Sequence, residues 1–600
     1  MKRRVADIII DTLIENEIFD CFAVVGGGAM HLDNAFAINK KIKIWFNHHE
    51  QACAIAAEGY AKLSGKLAAV CVTAGPGSLN TLNGIESAYV DNVPMIVIAG
   101  YPRYSTTIEP TNLHLRCRGV QEFDAVSAVQ GFTKYAKLIK DPLSVKQEIQ
   151  KGIDIAMDGR RGPVWFSIPL DVQGSLIDEE DLYPNLAIEK NTYNNSQGVF
   201  DYLTESLQKA KRPCILFGSG IRSSNSIELF KKFINKLKIP VVGGCQIPDV
   251  LSIDTEFYYG QSGVIGPRCG NFILQNSDLI IVLGNSLSTT QTGFNQDCFA
   301  PSAKIIMVDV EVDEMKKPGL HVTKAIFSDL KVFLAKANEK LPTINIDQNW
   351  LNYCNEMKTK YCKIEINENI GGDNKIAASK FWTIARPLFS DNCIIALGNS
   401  TSVVGGILSN GILKDGQRVL ANRNCGSMGW DLPAAMGAAI YSGKEVVCAT
   451  GDGSIMMNLQ ELQTIKQYNL PIKIIIFSND GYDALRSTWK KFFDGHYVGC
   501  DSSSGVSMPS FRKLTDAFDM PYMKCESDKE IEASVKWLLD QKSAAILEII
   551  EKYDDGNIPR IQSKMNEDGT FTTPALHDMF PFLSEEEMKN CMKWNLVEGE

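Results

Sequence analysis

The chain is poor in the residues from which most metal and redox sites are built. It has 7 histidines, and none of its 16 cysteines forms a C-x-x-C pair, so neither a zinc spacing nor a disulfide framework is present. Cys71, Cys214 and Cys448 sit in apolar runs, where a reduced thiol acts as a small hydrophobe, and a cytoplasmic location is expected. Basic residues are outnumbered, 61 Lys and Arg against 71 Asp and Glu, for a net charge of −10. That argues against a nucleic-acid binder, which would need a basic face. No apolar run is long enough to span a bilayer, so no membrane partner is expected. Behind Met1-Lys2-Arg3-Arg4, the acids Asp7, Asp11 and Glu15 interrupt the apolar stretch. It reads as an amphipathic helix rather than a signal peptide.

What is present is ordinary for a large globular chain: 600 residues, 44% hydrophobic and 22% charged, enough for roughly two to four domains. Three segments repeat one grammar of apolar strand, glycine turn and amphipathic helix, which predicts parallel α/β layers. The first, residues 1–180, has strands at Cys21–Val25, Ile42–Phe46, Ala68–Thr73, Met95–Ala99 and Val164–Ile168, with a helix over Gln51–Leu63. The second, 190–342, has strands at Pro213–Phe217, Leu279–Leu283 and Lys304–Val308. The third, 370–552, has them at Cys393–Ala396, Val446–Thr450, Ile472–Phe477 and Ala545–Ile549. Leu182–Gln197 and Pro342–Asn369 read as linkers, and the acidic 553–600 as a tail packed on the surface.

Gly451-Asp452-Gly453-Ser454 ends the run Val446–Thr450 and opens Met456–Tyr468, where Met456, Leu459, Leu462 and Ile465 keep helical spacing. Asn469-Leu470-Pro471 then turns into Ile472–Phe477, which ends at Ser478-Asn479-Asp480-Gly481. A strand–helix–strand unit of this length makes a right-handed crossover between parallel neighbours. Asp452 and Asn479 are therefore predicted at adjacent carboxyl strand ends, where open α/β sheets bind ligands. A carboxylate and an amide oxygen meeting there suit a hard cation such as Mg²⁺, completed by a main-chain carbonyl and phosphate oxygens. The glycines beside Asp452 let N–H groups approach a phosphate. Either turn alone is commonplace; the pair, 27 residues apart across a crossover, is specific.

That pair resembles the diphosphate–Mg²⁺ motif of thiamine-diphosphate enzymes, G-D-G followed by N-N, with Ser478 in place of the first asparagine. The resemblance implies Asp452, Asn479 and the Gly481 carbonyl as metal ligands, with Gly453, Ser454 and Tyr482 at the cofactor. A second stretch, His49-Glu50-Gln51-Ala52-Cys53-Ala54 running on to Glu58-Gly59-Tyr60-Ala61, is similar to the H-E-x-x-A…E-G-Y-A helix of acetolactate-synthase-like enzymes. A glutamate at a helix start is ordinarily just a favourable charge on the macrodipole. The resemblance implies instead that Glu50 hydrogen-bonds the cofactor's aminopyrimidine and exchanges a proton with it, which burial of a carboxyl favours.

Further stretches extend the resemblance nearly end to end. Gly26-Gly27-Gly28 resembles the glycine loop that brings N–H groups near the substrate, and Gly75-Pro76-Gly77-Ser78-Leu79-Asn80 the family's G-P-G-x-x-N turn. Gly119-Val120-Gln121-Glu122 with Thr133-Lys134 resembles a substrate-facing F-Q-E…T-K, with Val120 in place of phenylalanine. Glu50, Gln121 and Gly27 are thus the catalytic candidates. Gly398-Asn399-Ser400 stands where the family contacts the diphosphate, and Gly426-Ser427-Met428-Gly429 resembles its G-x-M-G, whose methionine props the cofactor. With Glu50, Gly75 and Asn80, these add Gly398, Asn399, Ser400, Ser427 and Met428 to the cofactor set.

The fold so implied is three doubly wound parallel-sheet domains: pyrimidine-binding, central Rossmann-like and diphosphate-binding. Family sites lie between the first domain of one subunit and the third of another, so a homodimer or homotetramer is expected. Thiamine diphosphate and Mg²⁺ are the implied cofactors. FAD, held in the central domain of acetolactate synthases, stays open here. The flavin-contacting G-x-R-F-D-D-R region reads Gly284-Asn285-Ser286-Leu287-Ser288-Thr289-Thr290, without its arginines, and Asp309 stands at the place of an acidic ribose contact. Near the acceptor, Arg486 and a Trp489 displaced by one residue are the candidates, and among the histidines His49. The expected activity is carboligation: a 2-keto acid is decarboxylated and its acyl unit passed to a carbonyl acceptor, a second keto acid or a keto-sugar. A simple 2-keto acid decarboxylase and a non-catalytic cofactor-binding regulatory protein are the alternatives.

Overall fold

The computed structural model describes all residues except 1, 190, 194, 246, 363–374, 401, 404–413, 553–558, 566, 567, 569 and 595–600. Three six-stranded sheets dominate it, each wholly parallel. Their inner strands are the apolar runs of the sequence: Met95–Tyr101, Pro163–Pro169 and Ala69–Val72 are buried throughout. Burial on both faces is what lets such strands read as continuous hydrophobic runs.

The first and third sheets share one topology. Numbering strands along each segment, both have the order 2-1-3-4-6-5, and the central sheet has 3-2-1-4-5-6. In the first sheet the chain direction of strand order reverses between Asp20–Ala23 and Ala69–Val72, in the third between Ile394–Leu397 and Val446–Gly451. Crevices at such reversals are where doubly wound sheets take ligands, and the motif turns after these strands open into them.

The two outer units are locked together by helices Glu50–Ser64 and Asp431–Ser442. Small residues permit the approach: a Cβ on Gly59 would lie 2.3 Å from the Ala434 carbonyl, and one on Gly437 1.9 Å from that of Ala56.

Several expectations are corrected. Of the helix predicted over Met456–Tyr468 only Glu461–Gln467 is helical, and a separate single turn, Asp452–Ile455, precedes that range. Tight i→i+3 turns separate them, and buried Asn458 spends its amide on the Gly429 carbonyl at 2.8 Å. Part of the supposed linker Pro342–Asn369 is a helix, Gln348–Tyr361, burying Trp350, Tyr353, Cys354 and Met357. The rest, from 363, lies outside the described residues. The C-terminal stretch is not confined to the surface, because Leu576, Met579, Cys591 and Met592 are buried. Fully buried Arg268 holds it, donating to the Met579 carbonyl at 2.8 Å and to that of Pro581. Among the described residues, no helix is long and apolar enough to cross a membrane.

Candidate active site

Asp452 and Asn479 do lie at the ends of paired strands, Val446–Gly451 and Ile472–Ser478. Buried Asp452 accepts from the N–H of Gly453 on one oxygen, at 2.7 Å, and of Asn479 and Gly481 on the other, at 3.0 and 3.1 Å. Burial pushes its carboxyl up to about 6, opposed by these amides. Gly481 sits at φ +138, and a Cβ there would fall 2.0 Å from the Cys500 carbonyl, so only glycine fits.

Two further residues fix this turn, Glu551, which the sequence did not single out, and Arg486, which it placed elsewhere. Buried Glu551 accepts from Asn479 Nδ2 at 2.9 Å, which settles the amide's orientation and turns Oδ1 away from the carboxylate. Arg486, expected at the acceptor, is buried instead. It donates to the Asn479 carbonyl at 2.9 Å and to that of Asp480, and meets Asp501 at 3.3 Å. The donors offered are the Asp452 carboxylate, the Asn479 amide oxygen, which Arg486 Nη1 approaches to 3.5 Å, and the Gly481 carbonyl, hard oxygens of the kind that fit Mg²⁺. Among the described residues no three His, Cys, Asp or Glu side chains gather as an alternative metal site.

Around this turn, the other third-unit candidates form one network. Asn399 Nδ2 donates to the Ser427 carbonyl at 2.9 Å, and Ser454 Oγ accepts from Gly429 N–H at 2.8 Å while donating to Asp431 at 3.0 Å. Asp431, also missed, is fully buried, pushed up to about 6 by burial, and lies so close that a Cβ on Gly398 would be 2.5 Å from its carboxylate. Gly451 is nearly bare, with only Ser400 near a would-be Cβ at 3.7 Å. Tyr482 lies over Gly453, whose Cβ would strike the ring at 2.3 Å. Met428 is 42% exposed.

In the first unit, Glu50 begins the helix Glu50–Ser64. His49 is its cap, accepting from Gln51 N–H at 3.2 Å, so its ring already has a structural task. Asn80 Nδ2 donates to Glu50 at 2.9 Å, and Gly77 leaves room for the carboxylate, 3.3 Å from where a Cβ would sit. Gln121 adopts the left-handed conformation (φ +56) and presses its carbonyl on Gly75, itself at φ +61. Gln121, Gly75, Asn80 and Glu50 thus share one corner. Lys134 does not: its ammonium caps a helix end through the carbonyls of Ile155 and Asp158, and burial lowers it to about 8.

In the central sheet, the turns at Gly218–Gly220 and Gly284–Ser286 close on each other. Gly220 N–H donates to the Gly284 carbonyl at 3.0 Å, and Lys317 caps the Ser286 carbonyl at 2.7 Å. Asp309 is pushed up to about 6 by burial.

Family models cover each of the three units: "Thiamine pyrophosphate enzyme, N-terminal TPP binding domain" matches residues 3–126, "central domain" 200–337, and "C-terminal TPP binding domain" 405–549. The chain belongs to the thiamine pyrophosphate enzymes. It is an acetolactate-synthase-like member that acts on 2-keto acids. Acetolactate synthase 1, chloroplastic, of Nicotiana tabacum is 27% identical over 579 residues, 94% of this chain and 84% of that protein. The acetolactate synthase isozyme 2 large subunit of Escherichia coli (strain K12) is 26% identical over 546 residues, 91% of this chain and 95% of that protein. The large subunit of Lactococcus lactis is 27% identical over 569 residues, 94% and 95% of the two. Thiamine diphosphate is therefore the cofactor of this chain, and its first and third units are the cofactor-binding ones.

Proposed function

We propose that the enzyme is a Mg²⁺-dependent carboligase that decarboxylates pyruvate or a similar 2-keto acid and passes the acyl unit to a carbonyl acceptor. The observation that supports this is the turn at Asn479, where Asp452, Glu551 and Arg486 together fix an oxygen-rich corner suited to a hard cation. A protein that kept the cofactor only as ballast has no use for that corner alongside an intact Glu50–Asn80 pair.

Each residue has a task. Asp452, Asn479 Oδ1 and Gly481 would hold the cation, and Gly398, Asn399, Ser400, Ser427, Gly453 and Ser454 would surround the diphosphate. When bound, the cofactor supplies an acidic thiazolium carbon able to add to a 2-keto acid. Glu50 holds the proton exchanged with the pyrimidine ring, and Asn80 keeps its carboxyl aligned. Gly27 and Gln121 face the substrate. The first unit, 1–180, takes the pyrimidine and the third, 370–552, the diphosphate.

Exposure around Glu50 supports a homodimer, in which a second copy's third unit closes the site. Val25, Met30, Leu79, Leu113 and Val120 are all exposed apolar residues of the first unit, an arrangement that marks an interface. Val120, 83% exposed, is smaller than phenylalanine and leaves room for an acceptor bulkier than 2-ketobutyrate. The closed turns of the central sheet and the missing arginines support a protein without tightly held FAD. All 16 cysteines stand outside any disulfide, which supports a reducing, cytoplasmic setting.

Incubating purified enzyme, thiamine diphosphate and Mg²⁺ with pyruvate and a panel of acceptors, read by mass spectrometry, tests this. A coupled product, best with a bulky acceptor, is expected. Acetaldehyde alone would make it a decarboxylase, and no turnover at all a non-catalytic binder.

A further inference from the structure

The loop Gly26–Gly28 lies at the switch point of the first sheet, between the ends of Asp20–Ala23 and Ala69–Val72. Three side chains from three other places in the chain hold it. Asp33 accepts from Gly26 N–H at 3.1 Å, Thr73 Oγ1 accepts from Gly28 N–H at 3.0 Å, and Gln173 Nε2 donates to the Gly28 carbonyl at 2.9 Å. Packing is equally strict. A Cβ on Gly26 would be 2.5 Å from Thr73 Cβ, and one on Gly100 2.3 Å from the Gly28 carbonyl.

Of three consecutive amides, two are therefore spent within the protein. The third, Gly27 N–H, has no acceptor among the described residues, and a Cβ at Gly27 would meet nothing within 4 Å. Gly27 is exposed, so of the three amides this is the one whose N–H faces open space, where an incoming ligand meets it without displacing a protein partner. Thr73 also touches the neighbouring corner: its Cγ2 lies 2.8 Å from a would-be Gly77 Cβ, the same point that is 3.3 Å from Glu50 Oε1.

We infer that Thr73 and Asp33 are positioning residues that consume the amides of Gly28 and Gly26, fixing the remaining Gly27 N–H as the single loop donor to an oxygen of the bound 2-keto acid. Thr73 does so from the residue that also packs behind Glu50, so one side chain sets the distance between the substrate's donor and the proton-exchanging carboxylate. The inference deepens the proposed function and rests on its reading of Gly27.

The pair Thr73→Val and Thr73→Ser separates hydroxyl from packing, since valine keeps the shape and serine the hydroxyl. Three readouts are needed. In hydrogen–deuterium exchange, the peptide spanning 24–32 should exchange faster in Thr73→Val and in Asp33→Ala, and at the wild-type rate in Thr73→Ser. In steady-state kinetics with pyruvate, Thr73→Val should lose about tenfold to a hundredfold in kcat/KM, somewhat less than direct removal of an oxyanion donor costs. Thr73→Ser should stay within about threefold, less than one hydrogen bond's worth. Exchange of the cofactor's thiazolium C2 proton, which needs Glu50 but no substrate, should be unchanged in both. Unchanged loop exchange in Thr73→Val, or equal impairment of the valine and serine variants, overturns the positioning role. Slowed C2 exchange in Thr73→Val overturns it too, by moving the effect to Glu50. A wild-type protein that turns over no 2-keto acid contradicts the proposed function instead, while the deuterium experiment still decides whether Thr73 holds the loop.

Discussion

Trp430 Nε1 donates to Glu58 Oε2 at 2.7 Å across the seam between the first and third units. Both side chains are fully buried; Ser87 Oγ donates to the same oxygen at 2.6 Å, and Lys62 lies 3.0 Å from the other. The helix that starts at Glu50 is thereby anchored two turns on. Trp430→Phe removes one donor from a buried carboxylate and should cost about 1–3 kcal/mol, while Lys62→Met leaves the charge unbalanced and should cost about 3–5 kcal/mol. Urea midpoints of the two variants check this order. A larger loss in Trp430→Phe would contradict it.

Asp452→Ala removes the cation's anchor together with the acceptor of three turn amides and should lose its bound cofactor on gel filtration; Asp452→Asn, which keeps an acceptor for the turn, should lose it too while its circular dichroism stays that of wild type. Arg486→Lys probes the turn from behind. A lysine cannot donate in a planar fork to two carbonyls, so the midpoint for Mg²⁺, titrated by intrinsic fluorescence, should rise about tenfold or more. An unchanged midpoint means that Arg486 does not shape the metal turn.

His577 connects the C-terminal stretch to the central unit, its Nδ1 lying 3.2 Å from Gln275 Nε2. Burial lowers its pKa from 6.5 to about 4. The folded form keeps the imidazole neutral while the unfolded form takes a proton near 6.5. Stability is therefore complete above that value and drains away as pH falls toward 4, by about 3 kcal/mol in all. Limited proteolysis between pH 7 and 5 should show residues 571–592 becoming cleavable first, and His577→Gln should flatten the trend. Equal protection at both ends of that range would contradict the assignment.

Much of this was legible in the residues, for reasons that differ by element. Interior strands such as Leu279–Leu283 matched the reading residue for residue, because burial on both faces demands a continuous apolar run. Edge strands Tyr135–Leu138, Arg418–Ala421 and Tyr522–Cys525 carry polar or charged residues and gave no such run. Val241–Gly244 escaped because half of it is glycine. Trp350, Tyr353, Cys354 and Met357 do show helical spacing, but their polar neighbours concealed it. At the site, the strand-end turns placed Asp452 and Asn479. Glu551, 72 residues beyond Asn479, and Arg486, whose partners include peptide carbonyls, leave no local signature. Asp33 and Thr73 are likewise known only by which amides they occupy.

Glu50 remains the decisive residue: it accepts from Asn80 at 2.9 Å and sits beside the space left by Gly77. Glu50→Gln keeps the shape and the hydrogen bond but cannot relay a proton. The most direct measurement is the exchange of the thiazolium C2 proton for deuterium in bound cofactor, followed by quenched-flow NMR. Glu50→Gln should bind thiamine diphosphate yet exchange at least about a hundredfold more slowly than wild type. Exchange at the wild-type rate would contradict it.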